Sequence, residues 1–120
     1  MTLPIIRNMT IPEFQQQLVN NPGVFFLKFT ASWCGPCKQI ETKVMEIFNK
    51  LPSTFQCANI DIDANPEIYN FLKSRRMVNG IPVILCYLRD NHNYIPDDMV
   101  MGSNMFQINA FFERCVRVKT

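Results

Sequence analysis

Phe29-Thr30-Ala31-Ser32-Trp33-Cys34-Gly35-Pro36-Cys37-Lys38 joins two segments of different periodicity. Before it, Val24 to Thr30 is a near-continuous apolar run rich in phenylalanine, which predicts a strand covered on both faces. After it, Cys37, Ile40, Val44, Ile47, Phe48 and Leu51 recur at three- and four-residue spacing, which predicts a helix of about four turns. The two cysteines therefore fall at a strand-to-helix junction, Cys34 at the helix N-terminus and Cys37 one turn inside. Unpaired backbone N–H groups and the positive end of the helix dipole favour an anion at that terminus, so the Cys34 thiolate is stabilised there. Two intervening residues let the sulfurs approach bonding distance, so Cys37 can resolve a mixed disulfide that Cys34 has formed.

Working outward, Leu3 to Ile6 reads as a short first strand. Thr10 caps a helix over about Ile11 to Val19, with Pro12 in its first turn and Glu13 at the capping-box position. Asn20-Asn21-Pro22-Gly23 ends it. Phe55 to Asp63 is a second internal strand, and Asn65-Pro66-Glu67 opens a short helix with Asn65 as its cap. Pro82 to Leu88 reads as a strand, Arg89 to Asp98 as a hairpin loop and Met99 to Met101 as an edge strand. Ile108, Phe111, Phe112, Cys115 and Val116 mark one face of a last helix. The order is an α/β sandwich with a mixed sheet.

A chain of 120 residues with 48% apolar side chains can bury one core, so residues 1–120 are read as one domain. The net charge of +2 is scattered, without the basic stripe of a nucleic-acid binder. No long apolar stretch follows a basic start and no run of eighteen apolar residues occurs, so secretion and membrane insertion are not expected. Five cysteines in a core-rich chain argue for a reducing, intracellular setting, in which a close pair is catalytic or metal-binding. Zinc would need a second pair of ligands, yet Cys57, Cys86 and Cys115 are isolated and His92 lies in the hairpin loop. An inert pair of core thiols would have no reason to combine Trp33, Gly35 and Pro36 around it. The other three cysteines read as buried core thiols.

The run Phe29 to Lys38 resembles the active-site signature of the thioredoxin family, and the element order matches that fold along almost the whole chain. Asp61-Ile62-Asp63, followed by Asn65-Pro66, resembles the family's third strand and next helix start. Gly80-Ile81-Pro82 resembles its cis-proline loop, and Gly102 its glycine beside the substrate groove. The resemblance implies a three-layer sandwich: a mixed five-stranded sheet in the order 1-3-2-4-5 with helices on both faces. It implies a cis Ile81–Pro82 bond against the dithiol and a shallow groove for extended peptide, formed by Trp33, Gly80, Ile81, Pro82 and Gly102. The Gly35-Pro36 dipeptide resembles that of reducing members.

The expected activity is therefore a protein disulfide reductase with Cys34 as nucleophile and Cys37 as resolving thiol, tuned by Gly35, Pro36, Lys38, Lys28 and Asp61. No bound cofactor or metal is implied, and the electron donor would be thioredoxin reductase or the glutathione system. The expected partners are disulfide-containing proteins, not nucleic acid or membrane, for a monomer in the cytoplasm. A disulfide isomerase or oxidase, and a binding module with secondary redox activity, are the alternatives.

Three positions depart from the family. Lys28 stands where a buried aspartate is usual, Asn59 where a lysine often faces it, and Thr42 where a proline commonly kinks the active-site helix. Arg89 to Asp98 is also longer than usual for this hairpin. Lys28 lies in mid-strand beneath the active-site helix, so its ammonium must find an acid or reach water. Asp61, on the same strand face as Asn59, is the expected partner. A charged Lys28 would favour the Cys37 thiolate; a neutral one would be a weak base.

Overall fold

The chain builds α1 (Ile11–Val19), β1 (Val24–Thr30), α2 (Gly35–Lys50), β2 (Phe55–Asp61), α3 (Pro66–Ser74), β3 (Val83–Leu88), β4 (Asp98–Met101) and α4 (Met105–Lys119). This is a computed structural model, which describes residues 1–119. The sheet has the order β2-β1-β3-β4, with β1 parallel to β2 and antiparallel to β3, and β3 antiparallel to β4.

Alternation along β1 divides the core. Phe25, Leu27 and Phe29 pack with Phe14 and Leu18 of α1 and Ile68, Tyr69 and Leu72 of α3. Val24 and Phe26 face the other way, into Ile40, Val44 and Phe48 of α2 and Ile108, Phe111 and Phe112 of α4. Helices thus cover both faces, and β1 is buried along nearly its whole length, as its near-continuous apolar run predicts.

The five-stranded sheet in the order 1-3-2-4-5 is not what forms: four strands are present, in the order β2-β1-β3-β4. Leu3 to Ile6 contributes only an isolated parallel bridge, Ile6 to Ala58. Ile6 N–H donates to the Cys57 carbonyl at 3.0 Å and the Ile6 carbonyl accepts from Asn59 N–H at 2.9 Å. Pro4 has no N–H to extend this ladder, and its carbonyl accepts instead from the Gln56 side chain.

Two other local readings change. β2 stops at Asp61, not Asp63, because the Asp61 carboxylate turns back to accept from the N–H groups of Asp63 at 2.8 Å and Ala64 at 3.4 Å. Asn65 occupies the cap position of α3 but makes no capping bond. Its carboxamide oxygen accepts from Met9 N–H and its nitrogen donates to Asn8 and to the Asp61 carbonyl, so it ties the chain start to the end of β2. The α1 capping box forms as expected, with Thr10 and Glu13 exchanging bonds of 3.2 and 2.8 Å.

The edge strand β4 is held to α4 by a two-pronged contact: Arg114 Nε and Nη2 donate to the Asp98 carboxylate at 2.8 and 3.0 Å. The Arg114 hydrogen bond holds the Asp98 carboxyl below its ordinary range, against the opposing effect of burial. A carboxyl depressed in the folded state stabilises the fold above its unfolded pKa, and that stabilisation is lost as pH falls through the folded value. Asp98→Asn should therefore lower the urea midpoint slightly at pH 7, and the difference from the parent should vanish in acid. A gap that persists undiminished in acid would show that charge is not its source.

Candidate active site

Cys34 is the N-cap residue of α2, with extended backbone angles, and Pro36 occupies the first turn. Its sulfur accepts from the Cys37 backbone N–H at 3.2 Å, so the thiol group does the work of a capping side chain. Cys34 and Cys37 are joined as a disulfide. Both are buried, Cys34 at 5% exposure and Cys37 at 1%. Ala31, Ile62 and Ile81 form the apolar surround of the two sulfurs.

The Ile81–Pro82 bond is cis, and the Ile81 carbonyl oxygen lies 3.9 Å from Cys34 Sγ. Gly80, at φ +133°, donates its N–H to the Tyr69 hydroxyl at 3.0 Å, and Gly102, at φ +98°, donates to the Pro82 carbonyl at 2.9 Å. Those angles suit glycine, and they bring the loop before β3 and the end of β4 together beside the dithiol. Trp33 is 65% exposed, its indole N–H donating to Asp63 at 2.7 Å. A Cβ on Gly35 would meet nothing within 4 Å, so packing does not demand glycine there. Met101 belongs to this neighbourhood and was not singled out in the sequence; its sulfur is the atom a Cβ on Gly80 would meet, at 3.7 Å.

Lys28 is placed as the strand pattern requires, but its partner is not Asp61. It shows 0% exposure and faces α2, where its Nζ donates to Glu41 Oε1 at 2.9 Å and to Asn59 Oδ1 at 3.0 Å. Asn59 Nδ2 completes the ring by donating to Glu41 Oε2 at 3.0 Å. The register explains the correction. Lys28 lies opposite Asn59, whereas Asp61 lies opposite Thr30 with a carboxylate oxygen committed to the turn after β2. Burial lowers the pKa of the Lys28 ammonium; the bond to Glu41 and its charge oppose this, and Arg7 adds to the lowering.

Glu41 is the site residue that sequence reading missed. Its signal was present: four residues beyond Cys37 on a helix, it shares a face with the second sulfur. A cleft of about 220 Å³ is lined by Thr30, Ala31, Ser32, Cys37, Lys38, Glu41 and Asp61, so both acids share a cleft with the inner cysteine. Among the described residues no cluster of three or more His, Cys, Asp or Glu side chains is placed to hold a metal ion, and no helix is long and apolar enough to cross a membrane.

Comparisons with known proteins agree with this arrangement. The family model for thioredoxin matches residues 6–113. Thioredoxin of Pyropia yezoensis is 33% identical over 82 residues, which are 68% of this chain and 73% of the relative. Mitochondrial thioredoxin of Bos taurus is 26% identical over 105 residues, 88% of this chain and 59% of the longer relative. Among solved structures, thioredoxin of Trypanosoma brucei brucei superposes with a TM-score of 0.73 at 24% identity, covering 95% of this chain and 92% of that one. Thioredoxin of Trichomonas vaginalis also gives 0.73, at 23% identity, covering 92% and 96%. With a helix-capping dithiol, a cis-proline loop beside it and a family match over most of its length, the chain belongs to the thioredoxin family of thiol-disulfide oxidoreductases.

Proposed function

We propose that this chain is a protein disulfide reductase in which Cys34 attacks and Cys37 resolves. The observation that carries the reading is the position of Cys34 as the cap of α2, where a thiolate would accept the Cys37 N–H that its sulfur already receives. In the reduced protein the Cys34 thiolate attacks one sulfur of a substrate disulfide, forming a mixed disulfide and releasing the other as thiolate. Cys37 then attacks Cys34 Sγ, the bond to the substrate breaks, and the second substrate sulfur leaves as thiolate. The substrate gains two electrons, the chain ends as the Cys34–Cys37 disulfide, and no bound cofactor enters the cycle.

Trp33, Gly80, Ile81, Pro82 and Gly102 are proposed to form the groove for an extended segment of the substrate. What supports this is the exposed indole and the two glycines at positive φ, which add no side chain of their own beside the cis-proline loop. Gly35, Pro36 and Lys38 fall in the first turn of α2 and are proposed to tune the thiols, with Lys28 and Asp61 beneath. Thioredoxin reductase, or glutathione, would return the electrons. The acting unit is proposed to be residues 1–120 as a monomer in a reducing compartment, the cytoplasm first. The three free, buried thiols support that choice of compartment.

Trapping tests the assignment of roles. Cys37→Ser should accumulate covalent adducts with disulfide-containing proteins that are released by dithiothreitol, and Cys34→Ser should not. Equal trapping by both variants would overturn the order of attack.

A further inference from the structure

Resting on the reading that Cys37 is the resolving thiol, we propose that the Glu41 carboxylate is the proton acceptor for Cys37 Sγ, held in place from below by Lys28 and Asn59. Glu41 and Cys37 are one helical turn apart on the same face of α2 and line the same cleft. The Glu41 side chain is 39% exposed, so it can pass a proton on to water, while the buried Lys28 ammonium and the Asn59 carboxamide grip one oxygen each. Each oxygen keeps a second lone pair for the thiol.

The charged groups around this carboxylate come from every element that packs near it. Lys28 approaches from β1, Lys38 stands on α2 itself, and Asp61 at the end of β2 lines the same cleft. Arg7, in the segment before α1, acts on Lys28. Asp61 is the rival acceptor, but one of its oxygens is engaged by two backbone N–H groups of the turn after β2.

The step balances as follows. Cys37 Sγ attacks Cys34 Sγ of the mixed disulfide while its proton moves to Glu41. The Cys34–substrate bond breaks, and its electron pair leaves on the substrate sulfur, which takes a proton from water. Glu41 then returns its proton to solvent. Carboxylates are about four pH units less basic than free thiolates. Transfer is nonetheless effective in the transition state, where the attacking sulfur loses electron density and becomes far more acidic.

An aryl disulfide with a coloured thiolate reads the two steps separately, because the first attack releases one equivalent and the resolving attack a second. In Glu41→Gln the second release should slow about tenfold or more at pH 7, with the first within about twofold of the parent. The deficit should close at alkaline pH, where Cys37 ionises without help. A second release that is unchanged, or slowed by one factor at all pH values, overturns the proposal, as does a larger effect from Asp61→Asn. If Glu41→Gln does not fold by circular dichroism, Lys28→Met decides. With one of the two grips on the carboxylate lost, the second release should then slow several-fold more than the first, and equal slowing of both releases, or of neither, counts against Glu41. A Cys37→Ser protein that still releases the second equivalent overturns the underlying order of attack instead.

Discussion

Disulfide reduction by Cys34→Ser should fall to the rate of buffer alone, whereas Cys57→Ala, Cys86→Ala and Cys115→Ala should each keep the rate of the parent. The contrast follows from where the five thiols sit. Thiolate is the attacking species, so reactivity needs both ionisation and a path to the substrate. Burial pushes the Cys57 thiol up to about 12, with no cation or helix terminus to offset it. At pH 7 that leaves on the order of one thiolate in 10⁵. Cys86 is also pushed upward, first by its hydrogen bond with Cys115 and then by burial. Cys57, Cys86 and Cys115 all lie in the core layer between the sheet and helices α2 and α4. Cys34 alone caps a helix beside the cis-proline loop. An insulin-reduction assay with the four variants checks this. Residual turnover in Cys34→Ser above buffer would require a second nucleophile.

Phe26→Ala should lower the unfolding free energy by about 4 kcal/mol. Phe26 is fully buried at the centre of an aromatic cluster, its ring centroid 6.1 Å from Phe48, 6.2 Å from Phe55, 5.8 Å from Phe111 and 5.1 Å from Phe112. These rings come from α2, β2 and α4, so one truncation leaves a void that three elements must collapse together to fill. The same change should bring the melting temperature down by about 15 °C in a domain of this size. Phe106→Ala serves as the contrast. With 90% exposure its ring buries almost nothing, and its effect should stay within about 0.5 kcal/mol. A Phe26→Ala loss as small as that would mean the cluster relaxes far more readily than its packing implies.

Much of the frame was legible in the chain because local signals agree with tertiary demands. Thr10, Pro12 and Glu13 start α1 where the capping chemistry says, and the near-continuous apolar run of β1 marks it as the strand covered on both sides. The dithiol junction was legible for the same reason. The cis bond before Pro82 and the place of Gly102 beside it came from the family resemblance, since X-Pro alone does not announce its isomer.

The misreadings come from side chains and backbone groups engaged otherwise than the local pattern suggests. Pro4 makes an apolar start look like a strand while denying it the ladder. Asn65 looks like a cap but is engaged by Met9, and Asp61 looks like a salt-bridge acid but closes a turn. Lys28 shows the limit most clearly. Alternation and register lead from it to Asn59 across the sheet, but the acid that balances its charge descends from a helix in the next layer. Layer-to-layer pairing has no fixed spacing along the chain, so a two-residue period could not find Glu41.

The central claim is that Cys34–Cys37 works as a reducing dithiol, and its most direct test is the equilibrium of this pair with reduced and oxidised glutathione at pH 7. The account predicts a potential near about −270 mV, the reference value for thioredoxin itself. A value near about −180 mV, that of protein disulfide isomerase, would contradict it and assign the site to disulfide formation or rearrangement.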